Sequence, residues 1–327
     1  MSIPLIRTSE RKDFKRCQQR WYWAWRCGLK TKGRDANALW FGIGVHEALA
    51  QWYCGPSAKR GMHPAEYFER WAGDEIEHVK ASRTNDFQDD IWAEAKLLGV
   101  AMLDSYIRKY GRDEHWDVIA PEQSFQIDIP NRKGTGLQAI YCGTFDLVFR
   151  DLNTGRIKLG EHKTEKSPRR THLSLDEQAG TYWAVASRIL ESRGLLRRGE
   201  VIESIEYNFL RKTLPDERQR NVEGQALNKD GTVSKRQPPK RFERLDVDRT
   251  AGERATQLRR IQTDARWMLA ARKNPADLMK TPTFDCSWDC SFFEMCEMHE
   301  QGGTSWEELR DAVFYQADPY ADHRKPA

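Results

Sequence analysis

Residues 143–163 read GTFDLVFRDLNTGRIKLGEHK. Phe145 to Phe149 is a β-rich run, Asn153-Thr154-Gly155 is turn chemistry, and Ile157 to Lys163 returns, so the stretch predicts a β-hairpin. Three charged residues, Asp146, Glu161 and Lys163, interrupt its apolar pattern. Glu161 and Lys163 stand two apart on a strand, so their side chains leave the same face. Two carboxylates and a lysine beside an apolar hairpin are costly as core filler. They fit a site for a cation and an anionic substrate. Mg²⁺ or Mn²⁺ takes hard oxygen ligands, usually one or two carboxylates with waters and substrate phosphate. A lysine is a point charge suited to orienting a water or neutralising developing negative charge. On these three residues alone, a surface hairpin closed by a salt bridge is the plainer account.

The rest of the chain bounds the answer. Its 327 residues allow one large domain or two modest ones, with 39% hydrophobic and 31% charged residues. Twelve Trp and ten Tyr are many for this length; most are expected in the core and rim, and a few are free to stack on bases. A net charge of +4 permits nucleic-acid binding through a local basic groove without demanding it. No apolar run approaches a membrane span, and the first residues, MSIPLIRTSERKDFKRC, lack a signal-peptide core, so a cytoplasmic protein with no membrane partner is expected. Of seven cysteines, Cys286, Cys290 and Cys296 fall within eleven residues, which in a reducing compartment points to metal before disulfide.

Upstream of the hairpin, residues 8–25 predict one helix, with Ser9 as N-cap and Phe14, Cys17, Trp21 and Trp25 at helical spacing. The loop KTKGRDAN follows, then ALWFGIGVHEALAQWY (38–53), an apolar helix carrying His46. Long helices are expected at about 65–80 and 87–110, the second with an apolar stripe of Ile91, Ala95, Leu98, Met102 and Tyr106. Residues 122–129 alternate as a strand. Downstream, TEKSPRRTHLS is a basic loop, and Leu175 to Glu191 a helix with Gln178 and Tyr182 one turn apart on one face. Residues 201–211 and 242–247 read as strands, 212–240 as a flexible excursion, 249–272 as a long helix and 305–313 as a short one. No internal repeat is present.

Asp146 followed by Glu161-His162-Lys163 resembles the D…(D/E)xK core of the PD-(D/E)xK nuclease superfamily. Gln178-Ala-Gly-Thr-Tyr182 resembles the QxxxY motif of its RecB-like branch, and Gly42-Ile-Gly-Val-His46 that branch's upstream GxxxH motif. A lone ExK is no signal; four motifs in the family's order are a strong one. The resemblance implies an α/β fold with a restriction-endonuclease-like core, a mixed sheet flanked by helices. It implies metal ligation by His46, Asp146 and Glu161 with the backbone carbonyl of His162. Lys163 would be the catalytic lysine, and Gln178 and Tyr182 would position DNA and active-site groups. The chain departs from the pattern at Phe145, where proline is common, and at Ala50, where relatives often carry glutamate. Competing accounts are a core histidine at 46 and a core tyrosine at 182 beside Ala179, Ala186 and Ile189. Gln178 resists that account, because a buried amide needs partners.

Cys286, Cys290 and Cys296 supply three thiolates; Cys17 is the best fourth and Cys27 the next. An iron–sulfur subgroup of the RecB-like branch carries one N-terminal and three C-terminal cysteines and includes CRISPR-associated adaptation exonucleases. Similarity to it implies a [4Fe–4S] cluster stapling the two ends of the chain, in a stand-alone member of the kind a phage encodes. Zn²⁺ stays open as the occupant, since spacing does not separate the two. Cys54 and Cys142 are expected as small buried hydrophobes. The expected organisation is an N-terminal helix with the cluster cysteine (1–37), a nuclease core with a helical insertion at about 65–110 (38–274), and an iron–sulfur lobe and tail packed on the core (275–327).

Candidate phosphate contacts are Arg169 and Arg170 past the catalytic strand and Lys15, Arg16 and Arg20 near the cluster; Trp21 and Trp23 are candidate stackers. For each one singly, a solvated charged face or core packing is the plainer account. The expected function is a metal-dependent DNA exonuclease acting on single-stranded or duplex ends, in recombination, repair or phage DNA processing, with a helicase or recombinase as partner. Two alternatives remain: a non-catalytic DNA-binding protein on the same fold, and a zinc-stapled endonuclease.

Overall fold

The computed structural model describes residues 3–32, 36–82 and 89–324. Part of the KTKGRDAN loop (33–35), the expected start of the second long helix (87–88) and the tail at 325–327 lie outside the described residues. The strands are β1 (Leu5–Arg7), β2 (Leu29–Thr31), β3 (Trp116–Pro130), β4 (Leu137–Asp151), β5 (Ile157–Glu165), β6 (Ile202–Arg211), β7 (Phe242–Asp248) and β8 (Phe314–Gln316). The main helices are α1 (Thr8–Arg16), α2 (Gln18–Trp21), α3 (Ala38–Tyr53), α4 (Pro64–Ser82), α5 (Asp89–Tyr110), α6 (Glu177–Ser192), α7 (Ala251–Ala271), α8 (Cys286–Asp289), α9 (Phe293–Glu300), α10 (Ser305–Val313) and α11 (Ala321–Arg324).

The hairpin forms the centre of a six-stranded mixed sheet. β4 is buried almost continuously from Tyr141 to Phe149, the signature of a strand covered on both faces. β3 runs antiparallel to it along nearly its whole length. The other edge of β4 is shared: β1 pairs in parallel at Ile140–Cys142 and β5 antiparallel at Leu147–Arg150. Residues 143–146 lie in the gap between those two neighbours. β6 lies parallel to β5, with α6 in the crossover between them, and β7 closes the sheet antiparallel to β6.

Two cores flank the sheet. On one face α1, α6 and α7 pack through Phe14, Trp183, Ile261 and Met268 onto Phe125, Tyr141 and Phe145. On the other, α3, α4 and α5 pack through Trp40, Phe41, Phe68 and Met102 onto Phe149, Leu210 and Phe242. α3 starts where expected because Asn37 caps it, its side chain accepting from the N–H groups of Leu39 and Trp40. The stripe on α5 is turned slightly from expectation: Trp92, Met102 and Tyr106 are buried, whereas Ile91 is 49% exposed.

The largest departure is at residues 8–25. The helix breaks at Cys17, whose backbone is extended, then resumes as α2 and a wide π-turn at Tyr22–Arg26. That break lets Trp23 and Leu29 join Phe292, Met295 and Phe314 in a third core, so both ends of the chain build one lobe. β2 pairs with β8 there, and the Tyr320 hydroxyl donates to buried Glu10 at 2.6 Å. Segment 212–241 holds no helix or strand longer than a bridge among the described residues. It is nevertheless cross-braced, by Arg218 on Asp216 and by Gln237 on both backbone groups of Ala226. No described helix is long and apolar enough to cross a membrane.

Candidate active site

β4 and β5 pair as far as Leu147 and Gly160, then part. Past that point the backbone N–H of His162 donates to Oδ2 of Asp146 at 2.8 Å, so a carboxylate stands where a ladder partner would be. Phe145 belongs to the α6-side core and Leu147 to the α3-side core, so the alternation of β4 slips across Asp146. Oδ1 of Asp146 lies 3.3 Å from Nδ1 of His46, one helical turn beyond Gly42, where α3 faces Thr164 at the end of β5.

A third group completes this convergence. Glu122 on β3 falls opposite Asp146, between the pairs Pro121–Leu147 and Gln123–Phe145. Its φ of +39° lies in the left-handed region, rare for a side chain of this size and a strain that clusters at functional sites. One ligand atom each from His46, Glu122 and Asp146 lies within 4.8 Å of the others; no other such trio of His, Cys, Asp or Glu occurs among the described residues. Burial alone would raise Asp146, but His46 and the His162 N–H hold it at about 2. Burial alone would lower His46, but Asp146 outweighs it and Glu122 and Glu161 add to it, carrying it to about 9. Glu122 keeps exposed surface, yet partial loss of solvent and then the Asp146 charge push it up to about 7, against the pull of His46. The potential at this point favours positive charge, and the donor set of imidazole and carboxylate oxygens suits a hard divalent cation.

Strand alternation divides the next three residues of β5. Glu161 and Lys163 face α6, with Lys163 Nζ donating to Glu161 Oε1 at 2.6 Å. Glu161 is 1% exposed, and its Oε2 is buried with no hydrogen-bond partner, an open carboxylate lone pair at the edge of the trio. Burial pushes Glu161 up to about 7 despite Lys163. Burial would lower Lys163, but Glu161 and Asp176 outweigh it and hold it above its ordinary value, so it stays a cation. His162 faces α3. Its Nδ1 accepts from Asn208 Nδ2 at 3.0 Å, its ring lies parallel to that of Tyr53, and burial drives it down to about 3, so it is neutral.

Behind this pair runs α6, capped by Asp176, whose carboxylate accepts the Gln178 N–H. Tyr182 packs its ring edge-on against Phe125 and Phe145. Gly143 makes room for it: a Cβ there would lie 2.8 Å from Tyr182 Cε1 and 2.9 Å from its Oη. Burial holds the Tyr182 hydroxyl well above its ordinary pKa, so it stays protonated.

Of the sequence-derived ligands, His46 and Asp146 therefore meet in the trio, Glu161 stands beside it in an ion pair, and His162 turns its ring away and offers backbone. Gln178 is exposed at the first turn of α6, which removes the buried-amide argument made for it. Trp21 is wholly buried, donating its indole N–H to Glu10, and Trp23 lies in the lobe core; neither can stack on a base without unfolding its surroundings. Lys15 pairs with Glu177 and Asp264, Arg16 with Asp285 and Asp289, and Arg20 with Asp13, so these cations serve the fold's own carboxylates. Arg170 pairs with Glu243, while Arg169 is exposed. Glu122 and Asp176 were missed. Asp176 was readable as a helix cap, and Glu122 only as an acid interrupting a strand.

Burial and then the neighbouring thiols of Cys17 and Cys290 raise Cys296, opposed by Lys280; burial and Cys286 raise Cys290, opposed by Arg20 and Arg16. Cys17, Cys286, Cys290 and Cys296 are thus linked pairwise within electrostatic reach, and Cys27, beside Tyr22 and Arg310, packs with Cys290 and Cys296 against the same lobe core. Cys142 is buried as expected; Cys54 is exposed, its thiol donating to Gln51 O at 2.9 Å.

The model of a family described as the PD-(D/E)XK nuclease superfamily matches residues 8–297, a span that holds all four motifs and all four gathered cysteines. No curated protein matches the chain. Among solved structures, one described as the crystal structure of SSO0001 is similar at 11% identity and a TM-score of 0.31, over 68% of this chain and 93% of that one; at that score the likeness carries no argument.

Proposed function

The chain belongs to the PD-(D/E)XK nuclease superfamily, and from that premise we propose that it is a DNA exonuclease that hydrolyses phosphodiester bonds from single-stranded or duplex ends. The observation that carries this reading is the convergence of His46, Glu122 and Asp146 beside Lys163 and the open oxygen of Glu161. His46, Glu122, Asp146 and Glu161 would hold Mg²⁺ or Mn²⁺. When bound, such an ion polarises a phosphoryl oxygen and lowers the pKa of water. Lys163, kept protonated by Glu161 and Asp176, places positive charge where negative charge builds on the phosphate. It is a stabiliser rather than a base. The protonated hydroxyl of Tyr182 and the exposed amide of Gln178 are donors suited to the substrate backbone.

The GxxxH and QxxxY motifs support the RecB-like branch and, with it, end-directed cutting in recombination, repair or phage DNA processing beside a helicase or recombinase. The four gathered thiols support a resident metal group. The spacing of the cysteines fits either Zn²⁺ or a [4Fe–4S] cluster; the resemblance to the iron–sulfur subgroup is what favours [4Fe–4S].

The test is digestion of end-labelled single-stranded, duplex and closed circular DNA with Mg²⁺ or Mn²⁺, comparing the protein with Lys163→Ala. Loss of linear DNA only, abolished in the variant, is expected. Cutting of closed circles would make it an endonuclease, and equal digestion by both proteins would remove Lys163 from the site. Binding without cutting would favour a non-catalytic DNA-binding protein. Protein purified without oxygen should be brown if the thiols hold iron–sulfur and colourless if they hold zinc.

A further inference from the structure

Segment 212–241 carries an unexplained charge. The guanidinium of Arg241 stacks on Phe242, 5.1 Å from its ring centroid, yet its Nε and Nη2 are buried with no hydrogen-bond partner. Two buried N–H groups of a half-buried guanidinium left without acceptors are unfavourable in a folded protein unless something outside the chain pairs with them. Two adjoining cavities open beside it and share Arg220, Pro238, Pro239 and Arg241 in their walls. One, of about 340 Å³, is closed by Ser105 and Lys109 on the last turns of α5. The other, of about 550 Å³, lies under the segment between Leu214 and Arg236. The one carboxylate in either wall, Asp216, is already held by Arg218. The cavities therefore combine unneutralised guanidinium groups with flat apolar surface from Pro238, Pro239 and Phe242.

Their position is as informative as their lining. Lys163 pairs with Phe209 and Phe209 with Glu243, so Arg241 lies two strands across from the catalytic lysine and two residues out of register, a backbone separation of about 12 Å. Lys212 lies between them, its N–H on Glu165 O at 2.9 Å and its ammonium 5.7 Å from the Phe41 ring centroid. Lys212 and Arg241 thus stand on the α3 and α5 side of the sheet while Lys163 faces α6, so a strand reaching Arg241 from Lys163 passes around the ends of β5 and β6.

We propose that Arg241 and Arg220, with the walls of these two cavities, form a phosphate-binding cradle that holds the backbone of a nucleic-acid strand at a distance from the cleavage position, a base resting on the proline and phenylalanine surface. The choice of a strand as the phosphate's source rests on the nuclease reading; the anion site itself does not.

The experiment uses the full chain carrying Lys163→Ala, with and without Arg241→Gln plus Arg220→Gln, and two readouts. In the first, labelled single strands of increasing length are titrated at several salt concentrations. Affinity is expected to step up once the strand is long enough to reach from Lys163 to Arg241. The double substitution should erase that step, about tenfold, and flatten the salt slope by about one ion or more. In the second, thermal unfolding is followed with and without inorganic pyrophosphate. Pyrophosphate should stabilise the parent but not the doubly substituted chain, which without the anion should be no less stable than the parent because an unpaired charge has been removed. Equal length dependence and equal pyrophosphate protection in both proteins would overturn the cradle. Protection that depends on Arg241 without a length step would overturn the strand and leave a free phosphate compound as the ligand. Both effects, together with no DNA cutting by the chain that retains Lys163, would uphold the cradle while the nuclease reading fell.

Discussion

Oδ2 of Asp146 accepts the backbone N–H of His162 at 2.8 Å, although the two residues lie on strands that have already stopped pairing. The bond fixes the carboxylate in the mouth of the gap, and its other oxygen meets His46. Asp146→Asn keeps the shape but removes the charge that raises His46 and draws a cation. Divalent-ion binding by calorimetry is expected to disappear and DNA cleavage to fall about 100-fold or more, while circular dichroism stays unchanged. Full ion affinity in this variant would place the metal elsewhere.

Glu122 separates strain from function. Glycine removes both the carboxylate and the penalty of a φ of +39°, which is of order 1–3 kcal/mol. Glu122→Gly is therefore expected to unfold at a higher temperature than the parent and to bind Mn²⁺ more weakly, about tenfold or more. Glu122→Gln should lose the same affinity without the gain in stability. Unchanged Mn²⁺ affinity in both variants would take Glu122 out of the site.

Gly143 holds Tyr182 in place by having no side chain, since a Cβ would lie within 3 Å of both Tyr182 and Phe125. Gly143→Ala should displace the ring, lowering stability by about 1–3 kcal/mol and cleavage rate more than ion affinity. Normal turnover with normal stability would show that Tyr182 has no positioning role.

His162 is held from the α3 side by a buried polar chain. Arg244 lies between Tyr110 and Trp116, at 3.7 and 4.0 Å from their ring centroids, and makes a two-pronged pair with Asp113. It also donates to Tyr106 at 2.7 Å; Asn208 donates to the same hydroxyl and to His162. Breaking a buried pair leaves a charge without compensation, so Arg244→Met is expected to lower stability by about 3–5 kcal/mol. In a double-mutant cycle with Asp113→Ala the combined loss should be well below the sum. Additive losses measured by denaturant unfolding would mean the two charges are not coupled.

What could be read from the sequence follows the range of the interaction. Periodicities of two and 3.6 are local, so the 38–53 helix, the 143–163 hairpin and the pairing of Glu161 with Lys163 on one face were all accessible. Glu122 was not, because it reaches Asp146 only through the β3–β4 register. Lys15, Arg16 and Arg20 read as free cations because their carboxylates lie on distant elements; Lys15 meets Glu177 and Arg16 meets Asp289. Trp21 lies against Phe14 in the α6-side core, as their spacing on one helical face allows, so the packing account holds for it and the stacking one does not.

The helix break at Cys17 gives that residue its meaning. An unbroken helix would carry its thiol along the face of Phe14 and Trp21, into the α6-side core. The extended backbone at Cys17 instead leaves the thiol within electrostatic reach of Cys296, more than 270 residues away in sequence. A group bound by all four thiols ties both chain ends together, so its removal should be felt by the whole lobe. Cys17→Ser and Cys296→Ser are each expected to lose bound metal and to lower the unfolding temperature by several degrees, with proteolysis beginning in the lobe built by both ends. Cys27→Ser, which removes a thiol that shares the lobe core but has none of the other cysteines among its charged neighbours, should keep its metal and its unfolding temperature. A Cys296→Ser protein with full metal content and unchanged unfolding would sink the staple, and loss of metal in Cys27→Ser would transfer the fourth ligand to Cys27.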